Sequence, residues 1–401
     1  MSVQISKIGI FGGTFDPIHN GHLNIAQNAK NEYELDEVIF IPTGVSYMKT
    51  GVNDAFFRYE MVSLAVEGTD GFKISDVEIK REGNTYTCDT IAYFKDKYPH
   101  AELFFIIGTD SLYSILSWRN YEYIFANCTL LCAPRNGEYR EEILVAQQEK
   151  LAEQYKNQYN ASIKFIHCNT MDISSTEIRN EIRDNLNDNF QTEKIPMQVY
   201  KYISNHGLYT DEFENIHNKL KNMLTPKRYR HTIGVVHTAV ELADIWGCDL
   251  VKARLAACLH DCAKYLDLDL KIAYCDKYSV EVTETEKENP ELLHAKVGAL
   301  VAYEEYGIKD CDILSAIYCH TTGKPDMTLL EKIIFVADYI EPGRKHSSKL
   351  GTYRQMAKED LDKTVAHILE DTLNYLENNS AKQSQIDPKT KMTYDFYKKY
   401  L

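Results

Sequence analysis

The stretch KIGIFGGTFDPIHNGHL, Lys7–Leu23, decides the fold of the first half of the chain. An apolar run typical of a β-strand ends in Gly12 and Gly13, and two histidines follow around an Asn-Gly pair. Because the glycines have no Cβ, the backbone after the strand can approach a phosphate closely. The helix that starts next would direct its free N–H groups at the same anion. The stretch therefore predicts a strand, a phosphate-binding turn and a helix.

The composition predicts a two-domain protein without a membrane segment. At 401 residues the chain is too long for one ordinary hydrophobic core, and 44% hydrophobic residues exclude wholesale disorder. The net charge of -14 argues against nucleic-acid and anionic-lipid partners but permits small anionic ligands in a local pocket. The apolar runs are too short to span a bilayer, and the ten cysteines include no CxxC pair. We therefore expect a cytoplasmic protein with reduced thiols.

The two halves of the chain follow different patterns. In the first half, apolar runs such as EVIFIP, FKISDVEI, AELFFIIG and CTLLCAP alternate with helical patterns. This alternation is typical of a Rossmann-like α/β domain, in which helices cover both faces of a parallel sheet. Later strand signals nearly vanish, and apolar residues recur at helical spacing in segments such as VKARLAACLHDCAKYL and in a final helix around Lys358–Glu377. We predict an α/β domain over residues 1–210 and an all-α domain over residues 211–401.

The pair His19 and His22 admits three interpretations. The histidines could cap and pack the helix start, ligate a metal, or face a phosphate. Their spacing places both rings near one face of the helix. Taken alone, such a pair more often caps and packs.

The string GGTFDPIHNGH resembles the signature of the HxGH nucleotidyltransferases, and specifically of the bacterial nicotinate-nucleotide adenylyltransferases. The resemblance implies in-line transfer of AMP from ATP, bound with Mg²⁺, to nicotinate mononucleotide, which gives deamido-NAD and pyrophosphate. It makes His19 and His22 catalytic donors to the charge that develops on phosphate, not zinc ligands. Pantetheine-phosphate and cytidylyl transferases are alternatives within the same family.

A second segment supports this resemblance. ISSTEIR, Ile173–Arg179, resembles the family's second motif, which implies that hydroxyls and backbone N–H groups at a helix N-terminus, together with Arg179, hold the ATP phosphates. Ser174 and Glu177 also have the spacing of an ordinary capping box, so a purely structural role stays open.

Three further segments, NTYTCDT, FIIGTDSL and SWRNYEYI, resemble those that shape the adenine and nicotinate pockets. Trp118 could stack on a pyridinium ring or fill the core. Family members often carry a Pro-Pro-His-Lys run where this chain has IPTGVSYMKT, which leaves Lys49 as that loop's candidate. The substrate-binding residues that the resemblance implies are Gly12, Gly13, Thr14, Phe15, Lys49, Thr85, Tyr86, Thr87, Gly108, Asp110, Trp118, Arg135, Ser174, Ser175, Thr176 and Arg179.

In the second half, histidine and aspartate recur on successive helical segments. Imidazole and carboxylate together suit iron, manganese or a similar ion better than a structural zinc cage. His260 and Asp261 lie inside an apolar run, where burial without a partner or a metal would be costly. The predicted metal ligands are His231, His260, Asp261, His294, His320 and Asp338. For His217, His237, His346 and His367 we expect structural roles.

The series resembles the HD superfamily of metal-dependent phosphohydrolases, and HDCAK, HTTG and ADYIEPGR most resemble the bacterial symmetrical diadenosine tetraphosphate hydrolases. This resemblance implies hydrolysis of diadenosine tetraphosphate to two ADP at two divalent metals, for which we expect iron or manganese, with Asp261 as a catalytic residue. Lys264, expected one helical turn after Asp261, and Arg344 become candidate phosphate contacts.

Together the two resemblances imply a bifunctional enzyme whose partners are small-molecule substrates. Two alternatives stay open for the second half: hydrolysis of another nucleotide, or a regulatory module that only binds nucleotides. A homodimer is also compatible with the sequence.

Overall fold

The computed structural model of the chain describes residues 6–44, 52–81, 83–134, 142–169, 171–184, 193–378 and 386–401. Two of the predicted substrate-binding residues, Lys49 and Arg135, lie outside these ranges. The chain divides into two compact units, Met1–Tyr202 and Ile203–Leu401. The domain limits 1–210 and 211–401 stay a prediction.

In the described part of the first unit, six parallel strands form a sheet, in the order β3-β2-β1-β4-β5-β6. The strands are β1 (Lys7–Gly13), β2 (Glu37–Pro42), β3 (Phe72–Ile74), β4 (Glu102–Gly108), β5 (Thr129–Ala133) and β6 (Ile163–Phe165). The chain passes from β1 to β2 and β3 on one side, whereas β4, β5 and β6 follow on the other side. The switch point therefore lies between β1 and β4, where open α/β sheets bind their ligands. The predicted parallel α/β architecture is confirmed.

Helices connect these strands. They are α1 (Asn20–Glu32), α2 (Ala55–Val66), α3 (Thr87–Lys97), α4 (Thr109–Ser114), α5 (Tyr121–Asn127), α6 (Glu142–Tyr159) and α7 (Ser175–Asp184), and the division between the units falls near the middle of α8 (Met197–His206). The predicted strand FKISDVEI is too long, because β3 ends at Ile74. There the chain turns: the Val77 N–H donates to Ser75 Oγ at 3.4 Å, and the Lys80 N–H donates to Asp76 O at 2.9 Å.

The core of this unit holds the end of β1 in place. Ile8 and Ile10 of β1 are fully buried in a cluster that includes Phe105 of β4. Phe11 points to the other face, where its ring lies 5.6 Å from that of Phe40. Strand β1 is thus packed on both faces, as a central parallel strand must be. The turn that follows it starts from a rigid base.

The described part of the second unit contains helices and no strand. Besides the end of α8, these are α9 (Asp211–Met223), α10 (Pro226–Trp246), α11 (Leu250–Leu259), α12 (Leu268–Lys277), α13 (Glu284–Glu288), α14 (Leu293–Glu305), α15 (Cys311–Cys319), α16 (Leu329–Ile340), α17 (Leu350–Glu359), α18 (Leu361–Glu377) and α19 (Pro388–Tyr397). Helices α10, α11, α14, α15 and α16 pack on one another in a continuous chain of contacts. The predicted all-α architecture is confirmed, and no helix among the described residues has the length and apolar character of a membrane span.

Two helix predictions need correction. Helix α11 ends at Leu259, so His260 and Asp261 lie in a turn and not within a helix. After Leu259 the backbone hydrogen bonds join residues three positions apart, and not four as in an α-helix. The Cys262 N–H donates to Leu259 O, and the Lys264 N–H donates to Asp261 O. The predicted last helix is split at Asp360, whose side chain caps α18.

Candidate functional sites

The first candidate site begins where β1 ends at the switch point. Gly12 and Gly13 are the last residues of β1, and Phe15 has a left-handed backbone with a φ of 51°. A Cβ on Gly13 would lie 2.7 Å from the Phe15 ring, so glycine is needed for the ring to fold back against the strand end. Thr14 lies between these residues in the same turn.

His19 and His22 stand at the start of α1. Their rings stack with centroids 3.7 Å apart, and the His22 ring also packs edge-on against Phe15 at 5.0 Å. Gly21 separates the two histidines in the sequence, and a Cβ on it would lie 3.0 Å from His19 Nδ1. The Asn-Gly pair of the motif therefore leaves room for the His19 ring.

Hydrogen bonding and burial fix the state of these rings. The backbone N–H of His19 donates to His22 Nδ1 at 3.3 Å, so a neutral His22 ring carries its proton on Nε2. His22 thus also caps the start of α1, as one of the three interpretations of the histidine pair predicts. His19 is 7% exposed, and burial lowers its pKa to about 4. At neutral pH His19 is an uncharged imidazole.

The second motif lies against the same turn. Ser175 Oγ, at the start of α7, donates to Pro17 O at 3.0 Å. Arg179, one turn later, donates to Asp16 O at 2.7 Å. These bonds fix the N-terminus of α7 beside the turn that carries the histidines.

Local contacts occupy the other hydroxyls of this motif. The Glu177 N–H donates to Ser174 Oγ at 3.1 Å, so the capping role of Ser174 is confirmed. Arg179 also donates to Thr176 Oγ1 at 3.2 Å. A phosphate-binding role of the motif stays a prediction.

Arg58 of α2 is a site residue that the sequence analysis missed. Its side chain is 2% exposed, and its guanidinium donates to Thr14 O at 2.7 Å, Thr43 O at 2.6 Å and Asn53 O at 2.9 Å. It therefore joins the turns that follow β1 and β2. The sequence feature that could have indicated this role is a single arginine in a largely apolar helix, AFFRYEMVSLAV.

The segment Thr85–Thr87 borders the turn after β2. Thr85 is buried, and its methyl group would lie 3.2 Å from a Cβ on Gly44. The Tyr86 ring lies under the guanidinium of Arg119 at 4.6 Å, and Thr87 begins α3. These contacts place the segment beside the loops at the carboxyl ends of the strands.

The remaining predicted residues follow β4. Gly108 ends that strand, next to β1 in the sheet, and is exposed together with Asp110. Trp118 is partly buried, and its ring meets Phe105 edge-on at 6.4 Å. Trp118 therefore contributes to the core, and its role in stacking on a pyridinium ring stays a prediction.

The second unit brings all six predicted metal ligands together. They form overlapping groups whose ligand atoms lie within 4.8 Å of one another: His231, His260 and Asp261; His260, His320 and Asp338; Asp261, His294 and His320. Asp261 Oδ1 lies 3.3 Å from His294 Nε2 and 3.6 Å from His320 Nε2. Asp261 Oδ2 lies 3.5 Å from His260 Nε2 and 3.9 Å from His231 Nε2. Each oxygen of this carboxylate thus faces its own pair of imidazoles.

Buried atoms without partners indicate that the cluster is built for a ligand. Asp338 Oδ1 lies 2.9 Å from His231 Nε2 and 3.9 Å from His260 Nε2. Within the described ranges, His260 Nε2 and Asp261 Oδ1 are buried and have no hydrogen-bond partner. Such atoms are costly unless something coordinates them. The donor set of imidazoles and carboxylates fits a divalent metal.

Every histidine of the cluster is oriented through its Nδ1 atom. The contacts are His260 Nδ1 with Ala257 O at 2.7 Å, His320 Nδ1 with Ile317 O at 2.7 Å, His294 Nδ1 with Glu291 O, and His231 Nδ1 with Glu341 Oε1 at 3.1 Å. In a neutral ring, an acceptor at Nδ1 places the proton there and leaves the Nε2 lone pair for a metal. The Nε2 atoms of these rings all lie near Asp261 or Asp338.

Glu341 is the second residue that the sequence analysis missed. It is 3% exposed, and beyond His231 it accepts a hydrogen bond from the Gly343 N–H at 2.5 Å. A Cβ on Gly234 of α10 would lie 2.4 Å from Glu341 Oε2, so this glycine makes room for the carboxylate. The sequence feature that could have indicated this role is the position of Glu341, three residues after the predicted ligand Asp338 in ADYIEPGR.

Electrostatics keep the carboxylates ionised. Burial alone would raise the pKa values of Asp261 and Asp338, but the neighbouring histidines outweigh burial and hold both pKa values well below the ordinary range. Burial also lowers the pKa of His231, but hydrogen bonds to Asp338 and Glu341 outweigh it and raise that pKa to about 9. A metal at His231 must displace this proton, so acid opposes metal binding.

Two predicted phosphate contacts touch ligand carboxylates. Lys264 Nζ lies 2.8 Å from Asp261 Oδ2, although the turn after α11 replaces the expected helix. Arg344 lies 2.7 Å from Asp338 Oδ1. Both cations therefore border the cluster.

The four histidines expected to be structural are not in any of these metal-ligand groups. His217, for example, is buried between Tyr229 Oη at 3.1 Å and Cys258 Sγ at 3.3 Å. The remaining three are His237, His346 and His367.

Comparisons with known proteins agree with the division of the chain into two different units. The family model described as cytidylyltransferase-like matches residues 10–181, and the HD domain model matches residues 228–343. The "Probable nicotinate-nucleotide adenylyltransferase/Ap4A hydrolase" of Mycoplasma genitalium is 30% identical over 378 residues, which cover 93% of this chain and 98% of that protein. The "Probable nicotinate-nucleotide adenylyltransferase" of Clostridium tetani is 40% identical over 209 residues, 51% of this chain and 100% of that protein.

A solved structure resembles one part of the chain. It is described as a predicted HD superfamily hydrolase involved in NAD metabolism from Clostridium acetobutylicum. It is 39% identical, covers 46% of this chain and 96% of its own chain, and has a TM-score of 0.44.

The state of His19 can be measured by NMR on protein labelled at the histidine rings, with His19→Asn to assign its signal. We expect the ring to titrate near pH 4, because burial disfavours its charged form. The unfolded chain then binds this proton more readily, so His19 makes the protein less stable as pH falls from about 6.5 towards 4. A titration at or above pH 6.5 would show that the ring is not held neutral.

Gly234→Ala tests the support of His231 by Glu341. The added methyl group would displace the carboxylate, and we expect metal affinity to fall about 10- to 100-fold, the usual effect of losing such a partner. Metal titration followed by calorimetry measures this. Gly351→Ala is the matched control, because a Cβ there meets open space. Unchanged metal affinity in Gly234→Ala would contradict the role given to Glu341.

Proposed function

The chain belongs to the family of two-domain nicotinate-nucleotide adenylyltransferase/Ap4A hydrolases, and we propose that its two units carry these two activities in turn. The first transfers AMP from ATP to nicotinate mononucleotide, which gives deamido-NAD and pyrophosphate. The second hydrolyses diadenosine tetraphosphate to two ADP. The observation that carries the proposal is the different arrangement of histidines in the two units: two stacked rings at a glycine turn in the first, and a cluster around Asp261 in the second.

In the adenylyl transfer, the phosphate of nicotinate mononucleotide attacks the α-phosphorus of ATP, and pyrophosphate leaves. Negative charge then spreads over the phosphate oxygens. His22, with its proton on Nε2, and His19 donate to these oxygens, while the backbone after Gly13 and the start of α1 provide further N–H groups. Mg²⁺ accompanies ATP. Ser175 and Arg179 hold the turn in place, and Arg179 is proposed to reach the ATP phosphates as well.

In the hydrolysis, two divalent metals would be held by the imidazoles and by Asp261 and Asp338. Iron or manganese suits this donor set. When bound, such a pair supplies Lewis acidity and a hydroxide nucleophile at neutral pH. Asp261, whose oxygens face separate imidazole pairs, would contribute to holding both metals. Lys264 and Arg344 hold the polyphosphate beside it and offset its charge.

Substrate panels decide between this proposal and its alternatives. The alternatives for the first unit are transfer to another acceptor, such as nicotinamide mononucleotide, and transfer of a cytidylyl group. The alternatives for the second unit are hydrolysis of another nucleotide and binding of a nucleotide without hydrolysis. A cytoplasmic location and a homodimer stay predictions from the sequence.

His22→Ala tests the transition-state role in the first unit. We expect kcat for adenylyl transfer to fall about 10²- to 10³-fold, the usual effect of losing one donor to developing charge. The Kd for ATP should change little, and both are measured by rapid kinetics and calorimetry. The control is His100→Ala, an exposed histidine in the turn before β4. A variant that only binds ATP poorly would show that His22 is a ground-state contact.

Asp261→Ala tests the modular scheme. We expect hydrolysis of diadenosine tetraphosphate to be lost and adenylyl transfer to be kept, because Asp261 lies within the second unit only. Metal analysis of the purified protein should show a lower content of iron or manganese per chain. Asp244→Ala, at an exposed position of α10, is the control. Loss of both activities, or of neither, would contradict the scheme.

A further inference from the structure

A threonine hydroxyl of the second unit lies against two of the metal-ligand candidates. Thr321 follows His320 in the turn after α15, and its Oγ1 atom lies 3.2 Å from His320 Nε2 and 3.4 Å from His294 Nε2. The two Nε2 atoms lie 3.1 Å from each other. A hydroxyl thus joins the imidazoles and carboxylates of the cluster as a third kind of oxygen or nitrogen donor.

The end of α15 holds this hydroxyl in place. The helix ends at Cys319, and the Gly323 N–H donates to Cys319 O at 2.8 Å. Gly323 has a left-handed backbone with a φ of 64°, as is common where a helix ends. A Cβ on Gly323 would lie 2.7 Å from the methyl group of Thr393 on α19. The turn that carries Thr321 is therefore bonded to α15 and packed against α19.

Lone pairs converge beside this hydroxyl. In neutral rings, the carbonyl contacts at Nδ1 of His294 and His320 place the protons there, so both Nε2 atoms are acceptors. Asp261 Oδ1 is a third acceptor and, among the described residues, is buried without a hydrogen-bond partner. The single proton of the Thr321 hydroxyl can serve only one of the three acceptors. A cation between them would satisfy all three at once.

The distances fit coordination of one ion. Ligands about 2.1 Å from an ion lie about 3.0 Å apart at a right angle and about 3.4 Å apart at the tetrahedral angle. Asp261 Oδ1 lies 3.3 Å from His294 Nε2 and 3.6 Å from His320 Nε2, and the contacts of Thr321 Oγ1 fall in the same range. Threonine and serine hydroxyls bind Mg²⁺ in phosphate-binding loops, so a hydroxyl is a suitable ligand for a hard divalent ion. We call these four atoms the Oδ1 position.

We propose that the Thr321 hydroxyl oxygen is a metal ligand and completes the Oδ1 position. The inference rests on the metal site of the proposed hydrolysis and not on the identity of its substrate. The Oδ2 position, on the other side of the same carboxylate, consists of Asp261 Oδ2, His231 Nε2, His260 Nε2 and Asp338 Oδ1. Two carboxylates contribute there, whereas a neutral hydroxyl replaces the second carboxylate at the Oδ1 position. The two positions therefore differ in charge, and Thr321 serves only one of them.

Thr321→Val tests the proposal, because it removes the hydroxyl and keeps the shape of the side chain. Mn²⁺ is titrated by calorimetry into the full chain after a chelator has removed bound metal, and we expect two binding events in the wild type. In Thr321→Val one Kd should rise about 10- to 100-fold, as when a group that supports a metal site is lost, and the other should stay within about threefold. Thr321→Ser, which keeps the hydroxyl, should retain both affinities within about threefold.

Thr322→Val is the matched control, because the hydroxyl of this neighbouring threonine donates to Gly323 O at 3.1 Å. This variant should match the wild type in both affinities. Electron paramagnetic resonance adds a readout that does not depend on turnover, since two Mn²⁺ ions a few ångströms apart couple magnetically. With two equivalents of Mn²⁺ per chain, the wild type and Thr321→Ser should show the coupled signal, and Thr321→Val should show mainly the signal of isolated ions.

Thermal unfolding without metal separates the role of Thr321 from folding. Thr321→Val and Thr322→Val should both unfold within about 4 °C of the wild type, because each loses about one hydrogen bond. The proposal would be overturned by an unchanged affinity of Thr321→Val for every Mn²⁺ ion, by equal weakening of both ions, or by failure of Thr321→Ser to restore the weaker one. If the wild type binds Mn²⁺ as expected but does not cleave diadenosine tetraphosphate, the substrate assignment fails and the metal ligand stands.

Discussion

A hydrogen bond at histidine Nδ1 determines what each half of this protein can do. In the first unit a backbone N–H donates to His22 Nδ1, so the proton sits on Nε2 and the ring offers a donor. In the second unit, carbonyl and carboxylate oxygens meet the Nδ1 atoms, as Ala257 O meets His260, so the rings offer Nε2 lone pairs. Histidine is thus suited to donate hydrogen bonds to phosphate oxygens in one site and to ligate metal ions in the other. The groups around each ring determine which of these roles it can have.

Glycines give these rings and their partners the space that they need. Gly21 allows the His19 ring close to the start of α1, and Gly234 allows Glu341 against α10. In a helix interior, glycine is less favourable than alanine by about 1 kcal/mol, so its presence in α10 needs a reason. Glu341 Oε2 supplies one, because it lies only 2.4 Å from the position that a Cβ on Gly234 would occupy. Helix α10 therefore accepts a local loss of stability so that Glu341 can orient His231.

The sequence predicted the parts of each site that follow from local pattern. The strand and turn around Gly12 and Gly13, the α/β and all-α classes, and the convergence of the six metal-ligand candidates could be inferred from periodicity and motif resemblance. Arg58 and Glu341 could not, because their roles depend on partners distant in the sequence. The end of α11 at Leu259 was also missed, since hydrophobic periodicity does not distinguish a helix from the tighter turns that continue it. Pattern predicts which residues gather, and tertiary contacts decide how each is held.

Charge is the clearest case of a property that composition hides. The chain has a net charge of -14, yet Lys264 and Arg344 lie 2.8 Å and 2.7 Å from the carboxylates of Asp261 and Asp338. The local arrangement of these cations, and not the net charge, decides whether a polyphosphate can bind at the cluster.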